Sequence, residues 1–245
     1  MIYDQLHGSH SRIAKSFMHR FLASALIVLI LVPVWAVDKS KDEETLKHAA
    51  TVLERMIDDT KFSADAVARA DCVIVFPAVN KNFDVGTGGS GGRGPMLCRD
   101  GENFGGRWTA PAIYTIGGVT PGPQVGGLPS DFVLLITSQK GVDAVLKGKA
   151  RLSNEAIAAA GLSDAPYAGT VERMDILTYA ESSGLYAETS FGAATLEPDE
   201  DANQRLYDKA LTAKEIVLGN DVKLTVAGKQ LISLLNTRVS NHSSP

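Results

Sequence analysis

The order of sequence patterns along the chain limits its fold more than any single motif does. Segments with the β-branched content and alternation of strands follow one another in a consecutive block, and helical segments precede and follow it. Strands and helices do not alternate as they do in a parallel βαβ sheet. We therefore expect an α+β fold with N-terminal helices, a largely antiparallel, bent β-sheet and C-terminal helices.

The predicted helices are defined by apolar residues at three- and four-residue spacing and by capping residues. Residues 38–60 place one apolar face on a helix, and Ser63 is expected to cap a short second helix ending near Arg69. Thr212 and Glu215 form a capping-box pattern at the start of 212–218. Further helices are predicted at 139–147 after Ser138, at 199–208, and around Leu231, Leu234 and Leu235.

The predicted strands are apolar runs bounded by glycine and proline. The first, at 72–76, is expected to stop at Pro77. The others are predicted at 95–99, 108–116, 132–137, 174–180 and 185–191.

The N-terminus has the features of an export signal. Arg12, Lys15 and Arg20 precede a 16-residue apolar run at 21–36, which ends in Ala36. A membrane-spanning helix needs about 20 apolar residues, so we predict a signal peptide over residues 1–36, beginning at Met1 or Met18 and cleaved after Ala36. An uncleaved membrane anchor is the alternative. Export would place the chain in the periplasm or outside the cell.

The charge of the chain is acidic overall but uneven. The whole chain has a net charge of -4, which argues against a nucleic-acid partner. Residues 37–245 carry 21 basic and 27 acidic residues, whereas 81–151 has a net charge of +3 and 152–221 a net charge of -9. Attraction to an anionic surface therefore depends on a local patch.

Two motif matches in the glycine tract at 86–94 fail for lack of context. A strand follows the G-x-G-x-x-G letters, whereas a dinucleotide site needs a helix there. Ser90 lies in a G-x-S-x-G match, but His48 and His242 are the histidines of 37–245, and neither is well placed as its base. We expect no enzyme activity, cofactor or metal site. A Ser90 hydrolase is the last-ranked alternative, and the glycines are interpreted as a hairpin connection or bulge that uses positive φ.

Clustered cations and one tryptophan are the candidates for contact with lipid head groups. Basic side chains near glycine turns and around a short helix suit phosphate groups. The candidate lipid-binding residues are Lys81, Arg93, Arg99, Arg107, Trp108, Lys140, Lys147, Lys149 and Arg151. Solvated surface positions, and a core role for Trp108, are the alternatives. Cys72 and Cys98 fall in predicted strands and would form a disulfide in an exported chain if those strands pair.

A series of short motifs resembles the SYLF domain family in order and spacing. The matching pieces are 70–77 (ADCVIVFP), Lys81 and Phe83, the glycine tract with Arg99, 108–112 (WTAPA), 117–118, 124–126, 131–136 (DFVLLI), 176–179 (ILTY), 184–186, Asn203 and Tyr207. Two segments depart from the family pattern, 161–165 (GLSDA) and 180–183 (AESS), and both lower the positive charge. These departures bear on phosphoinositide-type recognition more than on the fold.

The resemblance implies the organisation and the activity of the chain. Residues 37–239 would form a SYLF-like domain with a barrel-like sheet, followed by a disordered tail at 240–245. The family binds lipids and has no catalytic residues. We therefore expect a non-catalytic, exported module of the cell envelope that binds membrane lipid, with anionic phospholipid or phosphoinositide head groups as ligands. A structural or protein-binding envelope component, with an unknown partner, is the alternative.

Overall fold

The computed structural model describes residues 34–58, 64–79, 90–119, 130–148, 150–152, 176–182, 194–219 and 222–239. Most of the predicted signal peptide, the glycines at 86–89, the predicted strand at 185–191 and the tail at 240–245 lie outside the described residues. The candidate site residues Lys81 and Lys149 also lie outside them.

The described strands form one antiparallel sheet of seven strands in the order β5-β7-β3-β2-β1-β4-β6. Every neighbouring pair is antiparallel, which confirms the predicted α+β class. The strands are β1 (Cys72–Val79), β2 (Ser90–Cys98), β3 (Ala112–Val119), β4 (Ser130–Ile136), β5 (Ala150–Leu152), β6 (Ile176–Ser182) and β7 (Ala194–Pro198).

Six α-helices accompany the sheet in the described part of the chain, and a 3₁₀ turn (Glu102–Phe104) lies between β2 and β3. Ser138 caps its helix by accepting a hydrogen bond from the backbone N–H of Gly141, and Thr212 and Glu215 form the predicted capping box. The helices are α1 (Val34–Asp58), α2 (Ala64–Ala68), α3 (Gln139–Leu146), α4 (Glu200–Tyr207), α5 (Ala213–Leu218) and α6 (Val226–Arg238).

The apolar face of α1 is part of the hydrophobic core, as its periodicity predicts. Leu46, Ala49, Leu53 and Met56 are buried in the same core cluster as the residues of β1. Burying a leucine or methionine side chain contributes about 1.5–3 kcal/mol to folding. Packing of this face therefore holds the helix in place.

The start of β2 differs from the prediction. The strand begins at Ser90 rather than Pro95, so part of the glycine tract lies inside it. Gly92 and Gly94 do not have positive φ. A methyl group on Gly94 would lie 1.7 Å from the carbonyl oxygen of Val75 in β1, and the register shifts between Ser90 and Gly92. The bulge interpretation fits this register shift, whereas Gly94 serves the close approach of two strands.

The first strand continues past Pro77, where the sequence predicted its end. The register with β4 shifts between Phe76 and Val79, and Ala78 takes φ of 52°. The backbone N–H of Ala78 donates to Asp131 Oδ1 at 2.7 Å. This irregularity accommodates a proline, which has no N–H to donate, within the strand.

Other element boundaries also needed correction. The strands β5 and β7 were not predicted from the sequence. The third strand begins at Ala112, while Trp108 forms an isolated bridge with Arg99. The last helix, predicted as a short helix around Leu231, Leu234 and Leu235, spans 13 residues.

Candidate functional site

The predicted lipid-binding residues fall into separate groups in the structure. Arg93, Arg99 and Trp108 make internal contacts, whereas Arg107, Lys140 and Lys147 are exposed. Arg151 lies in β5. The described structure therefore does not bring the candidate residues together as one surface.

Arg93 belongs to a cluster of four charged residues, which we call the inner ion cluster: Asp42, Arg93, Asp199 and Arg205. The Asp42 side chain is fully buried and accepts from Arg93 Nη2 at 2.8 Å and from Arg205 Nε at 2.7 Å. Arg93 Nε also donates to Asp199 Oδ2 at 2.8 Å. The hydrogen bond from Arg205 to Asp42 raises the pKa of Arg205. The cluster joins α1, β2 and α4, and the Nε and Nη2 groups of Arg93 both donate to internal carboxylates.

Arg99 and Trp108 form a buried pair. Arg99 is 2% exposed, and its Cζ atom lies 4.4 Å from the centroid of the Trp108 ring. Arg99 Nη1 also donates to the carbonyl oxygen of Gly106 at 3.2 Å. Burial lowers the pKa of Arg99, and the charge of Asp71 opposes that shift. These two side chains would have to leave the interior to reach a lipid head group, so neither is a surface residue in this structure.

The helix α3 presents two of the remaining candidates. Lys140 and Lys147 are exposed, while Val142 and Val145 are buried. The two lysines are seven residues apart, which corresponds to about two turns, or about 10 Å along one side of a helix. Lys147 is the C-cap and keeps helical backbone angles. The helix therefore packs on its valines and places both lysines on its outer side.

Cys72 and Cys98 are joined by a disulfide between β1 and β2. They are directly opposite in the antiparallel register, their sulfur atoms are 2.04 Å apart, and both residues are fully buried. The chain contains two cysteines, so this bond uses both. It contributes a covalent link inside the sheet and no reactive thiol.

Asn203 and Tyr207 have roles that sequence reasoning did not assign. The Asn203 amide is fully buried, accepts from the N–H of Ile113 at 2.7 Å and donates to its carbonyl at 3.1 Å. The Tyr207 hydroxyl donates to the carbonyl oxygen of Pro111, and burial raises the pKa of Tyr207. Both residues therefore fasten α4 to the start of β3, and this explains two matched positions without invoking a ligand.

A second set of exposed residues, also missed by the sequence analysis, lies around the connection between α5 and α6. Lys214, Lys223 and Lys229 are exposed, as are Leu218 and Val226. The acidic total of residues 152–221 conceals Lys214, and Lys223 and Lys229 lie beyond that segment. Aliphatic residues within four positions of lysines, on both sides of a predicted helix end at Gly219, were the local signal in the sequence.

The described residues also bear on the other site classes. Ser90 opens a strand, whereas a nucleophile elbow requires a turn before a helix. Within the described ranges, no group of three or more His, Cys, Asp or Glu residues is arranged to hold a metal ion. None of the helices described here has the length and apolar character needed to cross a membrane.

Comparison with known proteins identifies related sequences. A family model named Ysc84, described as "Las17-binding protein actin regulator", matches residues 117–238. The chain is 26% identical to the SH3 domain-containing YSC84-like protein 1 of Rattus norvegicus, over 82% of this chain and 58% of that protein. It is 29% identical to Protein YSC84 of Saccharomyces cerevisiae, over 84% of this chain and 45% of that protein.

A third relative is more similar over a shorter region. The chain is 32% identical to an SH3 domain-containing protein of Schizosaccharomyces pombe, over 56% of this chain and 33% of that protein. The alignments thus span about a third to three-fifths of the length of these curated relatives.

Proposed function

We propose that this chain, which belongs to the Ysc84 (SYLF) family, is an exported, non-catalytic module that binds anionic membrane lipid. The support for export is the basic N-terminus followed by a 16-residue apolar run. Sequencing the N-terminus of the exported product should find Val37 as its first residue. A product that retains residues 1–36 would instead indicate an anchor.

The outer side of α3 is the observation that carries the lipid proposal. Lys140 and Lys147 lie on one side of a helix whose opposite side is buried, and Lys149 and Arg151 follow within four residues. Asp143 is the acidic residue of this stretch. Each cation close to an anionic membrane contributes about 1 kcal/mol to binding, an attraction that salt weakens.

Vesicle flotation tests the proposal. The purified chain is mixed with vesicles of neutral lipid, or with vesicles that contain the anionic lipid phosphatidylserine, across a salt series. We expect binding that requires the anionic lipid and falls with salt, and a roughly tenfold or larger loss for the double variant Lys140→Glu/Lys147→Glu. Neutral vesicles report any contribution from the apolar segment 21–36.

The matched control places the same charge change on α1. Lys41 and Lys47 are exposed, so Lys41→Glu/Lys47→Glu alters the net charge by the same amount. Equal losses for both variants would mean that overall charge, not α3, controls binding. Equal binding of the unaltered chain to neutral and anionic vesicles would refute head-group recognition.

A protein-binding function is the second candidate, and the description of the family model favours it. That description names Las17 binding and actin regulation for the family. By analogy, this chain would also bind a protein, but a different one. Crosslinking the chain in its host, followed by mass spectrometry, tests this candidate. Recovery of one defined partner by a chain without vesicle affinity would favour it over lipid binding.

A further inference from the structure

Two exposed aliphatic side chains stand out because they border the same connection. Leu218 ends α5 and is 38% exposed, and Val226 begins α6 and is 69% exposed. Across the described residues, these are the large hydrophobic side chains with substantial exposure. Single exposed aliphatic residues are common on protein surfaces, whereas exposed aliphatic residues that lie together are typical of interaction sites.

The packing of both helices places these two residues in one region. Thr109 Oγ1 donates to the carbonyl oxygen of Val217 at 2.6 Å, which holds the end of α5. A methyl group on Gly228 would lie 3.5 Å from Pro111 Cγ, which locates the start of α6. Thr109 and Pro111 are two residues apart, so their Cα atoms are separated by at most about 7.6 Å. The end of α5 and the start of α6 therefore meet the same short backbone segment.

Three exposed lysines lie within four sequence positions of this pair. Lys214, Lys223 and Lys229 are exposed, and no ion pair involves them within the part of the chain that the structure describes. Glu215 is engaged by the backbone and side chain of Thr212, and Asp221 lies outside the described residues. Residues 209–229 contain four lysines and two acidic residues. We call the set Lys214, Leu218, Lys223, Val226 and Lys229 the α5–α6 tip.

The composition of the tip favours a lipid surface over a protein partner. Protein interfaces are enriched in aromatic residues and arginine and depleted in lysine, whereas the tip has lysines and aliphatic residues. Peripheral membrane segments combine the same two features, aliphatic side chains at the acyl boundary and cations at the lipid phosphates.

We propose that the α5–α6 tip is the part of the chain that penetrates an anionic lipid surface. Leu218 and Val226 enter the boundary between head groups and acyl chains, and the three lysines contact the phosphates. This inference rests on the lipid-binding function proposed above and adds a defined membrane-entering surface distinct from α3.

Site-specific fluorescence tests the inference on the full chain. Both native cysteines are in the buried disulfide, so Val226→Cys or Leu218→Cys supplies one thiol for a polarity-sensitive dye such as NBD. Gln204→Cys on α4 is the control, because it is exposed and polar. On phosphatidylserine vesicles we expect a blue shift and about a twofold rise in emission at 218 and 226, and no change at 204.

Binding measurements on unlabelled variants give a second readout. The double variant Leu218→Ser/Val226→Ser should bind anionic vesicles at least about tenfold more weakly, because it removes the aliphatic groups that enter the membrane. Lys214→Gln/Lys223→Gln/Lys229→Gln should reduce the salt dependence of binding. Circular dichroism before addition of vesicles establishes that each variant is folded.

The outcomes separate this inference from the function on which it rests. If the unaltered chain binds anionic vesicles while the dye responds equally at 204, 218 and 226, or at none of them, the tip proposal fails and the lipid function stands. Unchanged affinity of the folded serine variant would also overturn it. If the unaltered chain does not bind vesicles at all, the proposed function itself is refuted.

Discussion

The inner ion cluster and the α5–α6 tip contain cations that the structure uses in opposite ways. Arg93 and Arg205 share one fully buried carboxylate, and they join three elements that are far apart in sequence. The lysines of the tip are exposed and have no ion pair among the described residues. Arginine provides a planar fork suited to fixed internal carboxylates, whereas lysine is a hydrated point charge on a flexible stem. The basic residues of this chain therefore divide into internal links and surface groups available to a partner.

The largest expected effect on stability comes from removing the shared carboxylate. Asp42→Asn keeps the size of the side chain but removes the buried carboxylate that Arg93 and Arg205 share. Arg93 then keeps its ion pair with Asp199, whereas Arg205 loses the charged oxygens to which it donates. We expect the free energy of unfolding, measured by urea denaturation, to fall by about 3 kcal/mol. The control is Asp38→Asn on the same helix, where an exposed pair with Lys41 at 3.5 Å contributes less than about 0.5 kcal/mol. Similar losses for the two variants would mean that the cluster is not a structural link.

An intermediate effect is expected from comparing two arginines that are close in sequence. Arg99→Lys removes the stacking on Trp108 and the hydrogen bond from Nη1 to Gly106, and should lower the free energy of unfolding by about 1–3 kcal/mol. Arg107 is exposed, and Arg107→Lys should change it by less than about 0.5 kcal/mol. Urea denaturation of both variants measures the contrast. An unchanged free energy of unfolding for Arg99→Lys would show that the buried stacking on Trp108 is dispensable.

The smallest effect concerns an exposed carboxylate beside the tip. Hydrogen bonds from Thr212 lower the pKa of Glu215 below its ordinary value of 4.5, so the ionised form favours the folded chain. This stabilisation is complete well above pH 4.5 and is lost as the pH falls through the lower folded-state pKa. Glu215→Gln keeps an acceptor but does not titrate. The difference in Tm between the parent chain and this variant should therefore be largest near neutral pH and should close in acid.

A surface carboxylate in another connection provides the control for that pH series. Glu102→Gln in the connection between β2 and β3 removes one exposed negative charge without touching a capping box. If both variants show the same pH dependence, the effect belongs to net charge rather than to the cap.

Local sequence signals predicted the parts of the fold that depend on neighbouring residues. The caps at Ser138 and Thr212 were predicted correctly because a capping bond joins residues three positions apart. The predicted end of β1 was wrong, because the backbone N–H of Ala78 donates to Asp131, which lies on another strand. The strand β5 was missed because three residues carry too little periodicity to identify a strand.

The same limit applies to the candidate site. Arg93 was predicted as a lipid contact because its own segment is basic, but its partners lie 51 and 106 positions away. Trp108 was predicted with it, while the alternative of a core role fits its 3% exposure. Composition reports how many charges a chain has. Only the long-range packing determines which of those charges are already paired.

The buried disulfide between β1 and β2 can be used to detect opening of the sheet. Cys72 and Cys98 are fully buried, so a reductant in solution reaches the sulfur atoms when the two strands separate. The rate at which added thiol breaks this bond therefore measures how often the centre of the sheet opens, not only how strong the reductant is. Reduction followed by alkylation and mass spectrometry would therefore measure the rate of local unfolding without an introduced label.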